Sequence, residues 1–157
     1  METEQKFLSF LLGAKDTAVI ALQQIIEVFQ VSLGEICNVP QMPGCVLGIY
    51  NWRGEMLWLV DLEEMLGYQP QSQTTNSLTR MMAIVLQSEE KYLGILVRHL
   101  IDIESLDTQH MKSPDSQLFI PEISTVLKGY FINATEEAII SLDATAIIHS
   151  PLWTLHK

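Results

Sequence analysis

The stretch from Pro43 to Leu62, PGCVLGIYNWRGEMLWLVDL, constrains the fold more than any other part of the chain. Two apolar runs, Cys45 to Tyr50 and Met56 to Leu62, flank the tetrapeptide Asn51-Trp52-Arg53-Gly54. Asn and Gly tolerate positive φ, so the tetrapeptide predicts a tight reversal with the flanking runs paired as buried strands. The reversal is expected to push Trp52 and Arg53 outward at an apex and to bury Val60 and Leu62. Trp and Arg are the side chains most often found as anchors at binding interfaces. The segment holds no nucleophile, general base or phosphate-cradling loop.

The rest of the chain is punctuated like a β protein. Lys6 to Leu12 predicts a strand, Gly13 to Asp16 a turn, and Thr17 to Leu22 the returning strand. Gln23 to Gln30 fits either a short helical turn or a third strand. Asp61 to Gly67 predicts a compact helix, capped by Asp61, favoured by Glu63 and Glu64 at its positive end and stopped by Gly67. Tyr68 to Thr79 and Asp107 to Pro121 are polar and predict loops, the first of them mobile. Met81 to Leu86 and Tyr92 to Val97 predict a hairpin around Ser88-Glu89-Glu90-Lys91. Leu127 to Ile132 and Ala138 to Leu142 predict another, around Asn133 to Glu137. A last helix is expected from Asp143 to Ile148, ending before Pro151. Val60-Asp61 followed by Met65 and Leu66 recurs as Leu142-Asp143 followed by Ile147 and Ile148. Two β units of similar design would produce this echo, and so would the common habit of Asp starting helices after strands.

Composition narrows the function. A chain of 157 residues fits one domain and can bury roughly 70% of its unfolded surface. Hydrophobic residues make up 48% and charged residues 18%, which predicts a sizeable core. A mean hydropathy of +0.20 leaves apolar area for partners. A net charge of −10 argues against nucleic acid and anionic membrane surfaces, which require clustered Lys and Arg. The acidic start lacks the features of a secretory signal, and no apolar run reaches ~18 residues, so a cytoplasmic protein without membrane insertion is expected. Cys37 and Cys45 are expected to be buried thiols rather than a metal clip, and the four histidines show no ligand spacing. No cofactor is implied. The adjacent pairs Glu63/Glu64, Glu89/Glu90 and Glu136/Glu137 are expected at exposed helix starts and turns. They do not form the convergent carboxylates of acid–base catalysis.

Gly48, Asn51, Arg53, Gly54, Val60, Asp61 and Leu62 fall on the pattern of the CheW-like domain, and the resemblance spreads over about 140 residues. Phe7 to Gly13 resembles that family's first strand and turn, and Ile26-Glu27-Val28 its next landmark. Val39-Pro40 and Pro43 resemble the approach to the arginine turn. Gly94 to Val97 with Ile101, Ile103 and Leu106 resembles its central hairpin, and Lys128-Gly129-Tyr130 and Ile140 to Asp143 its last strands. The resemblance implies a mainly β fold of two five-stranded β-barrel subdomains sharing a core, with a few short helices. That arrangement matches the internal echo.

The resemblance also implies a function: a stand-alone, non-enzymatic signal-transduction adaptor. Its partners would be the cytoplasmic tip of a chemoreceptor and the regulatory domain of a CheA-type histidine kinase. The receptor's helical hairpin would dock in a groove between the barrels. The protein-binding residues carried over are Arg53, with Trp52, Asn51 and Gly54 in its turn, and Glu27. Taken alone, Arg53 reads as a solvated turn arginine and Glu27 as a solvated strand-edge charge. Trp52 replaces a smaller aliphatic residue and Trp58 a frequent proline; Trp58 is expected in the core or at a barrel rim. Both substitutions point to a pilus-motility or phototaxis branch. Arg98 stands where the family often has Asp, a reversal that weakens any contact carried over there. The alternative is a sensor that binds a small apolar ligand inside one barrel, with Met56, Met65, Met81, Met82 and the tryptophans lining the pocket.

Overall fold

The computed structural model describes residues 3–68, 80–114 and 118–154. Most of the predicted mobile segment from Tyr68 to Thr79 lies outside the described residues. The first sheet runs in the order β8 (Leu100–Asp107), β1 (Glu4–Leu12), β2 (Asp16–Ala21), β10 (Ala138–Leu142), β9 (Leu127–Ile132). The second runs β3 (Ile25–Ser32), β6 (Arg80–Ser88), β7 (Lys91–Val97), β5 (Glu55–Asp61), β4 (Val46–Trp52). The fold is thus mainly β, with two five-stranded units and short helices, as the sequence predicts. The ambiguous stretch resolves into both of its options: a 3₁₀ turn at Leu22–Gln24 followed by β3.

The sheets share one wiring. Each holds a central hairpin, β1–β2 or β6–β7, whose second strand pairs in parallel with β10 or β5. Each of those strands pairs in turn with the strand before it, β9 or β4, and then enters a capped helix. Asp61 accepts a hydrogen bond from the Glu64 amide at the start of α1 (Leu62–Met65). Asp143 accepts from Thr145 and Ala146 at the start of α3 (Ala144–Ile148). The echo Val60-Asp61 and Leu142-Asp143 therefore marks equivalent places in two similar units. Leu62, expected in a strand, is the first residue of α1 and fully buried, as Val60 is.

The outer strands are exchanged. β3 follows β2 in sequence but pairs with β6 in the second sheet, and β8 follows β7 but pairs with β1 in the first. Leu8, Phe10, Ile20 and Ile140 of one sheet meet Val60, Ile84, Leu93 and Ile95 of the other in a shared core. Strand alternation turns the intervening residues to the opposite face of each sheet. There Phe7, Val19, Ala21, Phe131 and Ile139 form a small inner cluster in the first sheet. Val31, Leu57, Leu59, Met81, Val85 and Leu96 form a larger one in the second.

Each sheet curls around its inner cluster by the same device. After β3 comes a 3₁₀ turn at Leu33–Glu35, and Cys37 then bridges to Ile49 on β4. After β8 comes a 3₁₀ turn at Thr108–His110, and Lys112 bridges to Tyr130 on β9. The predicted loop from Asp107 to Pro121 is thus partly built into the sheet's closure. Both bridging segments pass directly over a glycine. A Cβ on Gly48 would overlap the Cys37 carbonyl oxygen, and one on Gly129 would lie 2.6 Å from the Lys112 oxygen.

A buried carboxylate joins the two units. Glu63, expected to be exposed, is 4% exposed because α1 turns it toward the first sheet. Its Oε2 accepts from the Gly13 amide at 2.8 Å, in the β1–β2 turn, while Oε1 lies 3.2 Å from Nε of Arg98, between β7 and β8. Tyr68 donates to Asp16 at 2.6 Å across the same turn. Arg98 therefore has an internal partner.

Cys45 is buried, and burial first, with the nearby Glu64 charge second, pushes its thiol up to about 11. Cys37, predicted to be buried, is exposed, because it lies on the bridging segment outside the inner cluster. A thiol reagent should therefore modify one cysteine, Cys37, in the native protein and both only in denaturant; two fast equivalents would contradict the burial of Cys45. Gly48→Ala must also open the closure at a residue whose φ is +141°. It should cost at least about 2 kcal/mol in urea unfolding. A near-neutral result would show that the bridge over Gly48 is dispensable.

Candidate functional site

The turn after β4 forms as the sequence predicts, with one difference in what it exposes. Trp52 pairs with Glu55, leaving Arg53 and Gly54 as a two-residue loop. Their φ values of +53° and +78° are those a type I′ turn requires, and the Asn51 Oδ1 accepts from the Gly54 amide at 3.1 Å. Arginine is an unfavoured choice at this position. A left-handed backbone costs a non-glycine residue roughly 1–2 kcal/mol, and Asn carries the smallest penalty. Arg53 itself is exposed, its side chain 60% accessible.

Trp52 is not exposed. It is 8% accessible and packs into the inner cluster of the second sheet, 5.5 Å from the Tyr92 ring. The alternation of β4 explains the correction: Trp52 shares a face with Tyr50, which packs on the same cluster, whereas the apex begins one residue later.

Glu27 organises these side chains. It lies on β3, one edge of the second sheet, while Trp52 ends β4, the other edge, and Arg53 follows it in the turn. One oxygen, Oε1, accepts from the Trp52 indole N–H at 2.9 Å and lies 2.9 Å from Nη2 of Arg53. The Arg53 guanidinium also sits 4.8 Å from the centroid of the Trp52 ring, within cation–π range. Beside them Phe29 of β3 stacks on Tyr50 of β4, with centroids 5.1 Å apart. Side chains thus close the gap between two strands that share no ladder. A shallow groove of about 310 Å³ runs along this seam, with Glu27, Phe29, Tyr50 and Arg53 among its walls. Of the carried-over residues, Arg53, Trp52, Asn51, Gly54 and Glu27 all converge here. Phe29 and Tyr50 were not singled out from the sequence, although Glu27 and Phe29 lie two apart on one strand face.

The arrangement presents one ordered guanidinium beside an aromatic groove. That suits recognition and offers no reacting centre. Among the described residues no group of three His, Cys, Asp or Glu is placed to hold a metal, and no helix is long and apolar enough to cross a membrane. The methionines proposed to line a pocket do not converge. Met56 is 78% exposed on β5, Met65 lies in the shared core, and Met81 lies in the inner cluster of the second sheet.

The model of the CheW-like domain matches residues 6–152, nearly the whole chain. The chain belongs to the CheW-like family. A probable chemotaxis protein CheW from Rhizobium etli is 34% identical to it over 93 residues, 59% of this chain and 54% of that protein. The match thus spans about half the length of that curated relative. The crystal structure of the scaffolding protein TtCheW from Thermoanaerobacter tengcongensis superposes with a TM-score of 0.73. It shares 18% identity over 88% of both chains, a likeness of fold. The CheW-like fold is therefore established for this chain by both the family match and the superposition, independently of the turn.

Truncation of Glu27 should separate its two roles. Glu27→Ala leaves the Trp52 N–H without its acceptor and should destabilise the protein by roughly 1–3 kcal/mol. Glu27→Gln keeps an acceptor and loses only a largely solvated ion pair, so its cost should stay under about 1 kcal/mol. Equal losses in urea unfolding would show that the indole hydrogen bond does not hold the seam.

Proposed function

We propose that this protein is a non-enzymatic signalling adaptor that couples chemoreceptor tips to the regulatory domain of a CheA-type histidine kinase in the cytoplasm. One observation carries the reading: an exposed turn arginine has its guanidinium held by an ion pair to Glu27 and by the Trp52 ring. Its backbone is not the signal, because Glu89 and Glu136 also take φ values of +58° and +63°. Glu27 and the Trp52 ring fix its guanidinium, so less side-chain freedom is lost when it meets an acceptor. The family match supports the class of function. The seam beside Arg53 sets the Phe29 and Tyr50 rings among the polar side chains of Glu27, Gln30 and Asn51, a mixed surface on which one face of a receptor helix can dock. Trp52 helps hold Arg53 from within, so its presence is explained without assigning a pilus or phototaxis branch.

Arg53→Asn tests the proposal with the fold protected, because Asn-Gly is the preferred pair for this turn. Its stability should stay within about 1 kcal/mol of the parent, since relief of the left-handed strain offsets the lost ion pair and ring contact. Its affinity for a receptor tip or a kinase regulatory domain should fall by roughly 1–3 kcal/mol. Arg53→Lys should recover part of that loss, because an ammonium lacks the planar fork of donors. Normal binding of Arg53→Asn to both partners would remove Arg53 from the interface.

A further inference from the structure

The two inner clusters are built alike but filled differently. Ladder register makes Ser141 of the first sheet equivalent to Leu59 of the second: Ser141 pairs with Gly129 and Val19, and Leu59 with Gly48 and Gly94. The same registers make Gln5 equivalent to Met81, since they pair with Leu106 and Val31 on the exchanged strands. Bulk is redistributed rather than lost. Phe7 faces Ala21 where Ala83 faces Leu96, and Val19 stands at the place of Gly94. The change is in polarity. The second sheet encloses a dry interior with Leu59 and Met81, and the first offers Ser141 and Gln5 instead.

A cavity of about 250 Å³ opens at this place in the first sheet. Its apolar wall is Phe7, Ala21 and Met111, and polar groups come from Gln5, Gln24 and Thr108. Ser141 lines it, is 1% exposed, and has a hydroxyl with no hydrogen-bond partner among the described residues. Its neighbour Ile140 faces the shared core, so alternation turns Ser141 to the cavity side, while Leu142, beyond a register shift in the β9 pairing, packs in the shared core and also borders the cavity. A buried hydroxyl without a partner is destabilising, and an alanine would fill the same space. Among the described residues Lys128 supplies the one charge in the lining, and none of those lining residues is acidic although the chain carries 19 Asp and Glu. Glu104 pairs with Phe7 from β8 but does not line the cavity.

We infer that the inner face of the first sheet is a binding site for a small organic anion, with an apolar body against Phe7, Ala21 and Met111. Its carboxylate would face Lys128, and an oxygen would accept from Ser141 once that hydroxyl, enclosed in the free protein, turns toward the cavity. The volume lies just below the ~300 Å³ at which drug-sized pockets begin, so the ligand is of metabolite size. The site is remote in sequence from Arg53 and independent of the adaptor reading, and either can fail without the other.

Methyl NMR of the full chain tests this, following Ala21 and Met111 while titrating benzoate, with benzyl alcohol as the neutral probe of equal size. Benzoate should shift both methyl signals saturably and bind at least about fivefold more tightly than the alcohol. Lys128→Gln should abolish that preference. Ser141→Ala should weaken benzoate several-fold while melting at or above the parent temperature, because it removes a hydroxyl that no described residue satisfies. Absence of saturable shifts up to the solubility limit would overturn the site, and equal affinity for acid and alcohol would overturn its anionic character. A marked fall in the melting temperature of Ser141→Ala would also count against it, by showing that the hydroxyl is already satisfied.

Discussion

Exchange of outer strands is the constraint from which the rest of this structure follows. Because β3 and β8 each cross to the other unit, the second sheet takes its five strands from one stretch, β3 to β7, whereas the first is split and β1 and β2 are completed only by β8, β9 and β10. The crossings force the central hairpins back to back, and the shared core is what lies between them. The buried Glu63 carboxylate belongs to the same logic. It sits where α1 of one unit meets the β1–β2 turn of the other, and the adjacent Arg98 lies at the start of the β8 crossing. A charge so enclosed is tolerable only when paired and hydrogen-bonded, and both conditions are met by residues of other elements. Removing Arg98 would leave a buried charge at a place where the units meet.

Much of this was legible from the residues. Apolar alternation located β9 and β10 to the residue, and Asn51 with Gly54 located the decisive turn. The repeated Asp caps left two readings open, similar units or a common helix start, and the structure bears out the first, because both strand ends use the same side-chain acceptor. What escaped was pairing over long distances. Nothing near Glu63 in sequence announces Gly13 or Arg98, so an acid at a helix start was read as solvated. Cys37 failed for the related reason that a bridge of one residue leaves no periodic pattern. Trp52 was misplaced by a single position, which on a strand is the difference between two faces.

The Arg53 site shows how a binding residue can be part of a fold's closure and yet be exposed. The indole N–H of Trp52 and the guanidinium of Arg53 share one oxygen of Glu27, so the group that seals the seam also orders the group that points out of it. Among the described residues the first sheet has no such aromatic seam between its edge strands. At the place of Glu27 and Val85 it has Asp102 and Ser9, and the Ser9 hydroxyl bonds the Asp102 backbone instead. Equivalent scaffolds have thus been put to unequal use.

The strand exchange also has a consequence in time. β1 waits for β8, whose partner for Leu8 is Ile103, and β2 waits for β10, whose partner for Ile20 is Leu142. At synthesis rates of ~5–20 residues per second, the first hairpin emerges on the order of ten seconds before the strands that will flank it. For that interval Phe10, Leu12 and Ile20, all fully buried at the end, have no native neighbours from those strands. A ribosome-bound chain of this protein therefore carries an uncovered hairpin with two open edges for most of its synthesis, which makes the newborn chain, rather than the finished one, the form most in need of a chaperone.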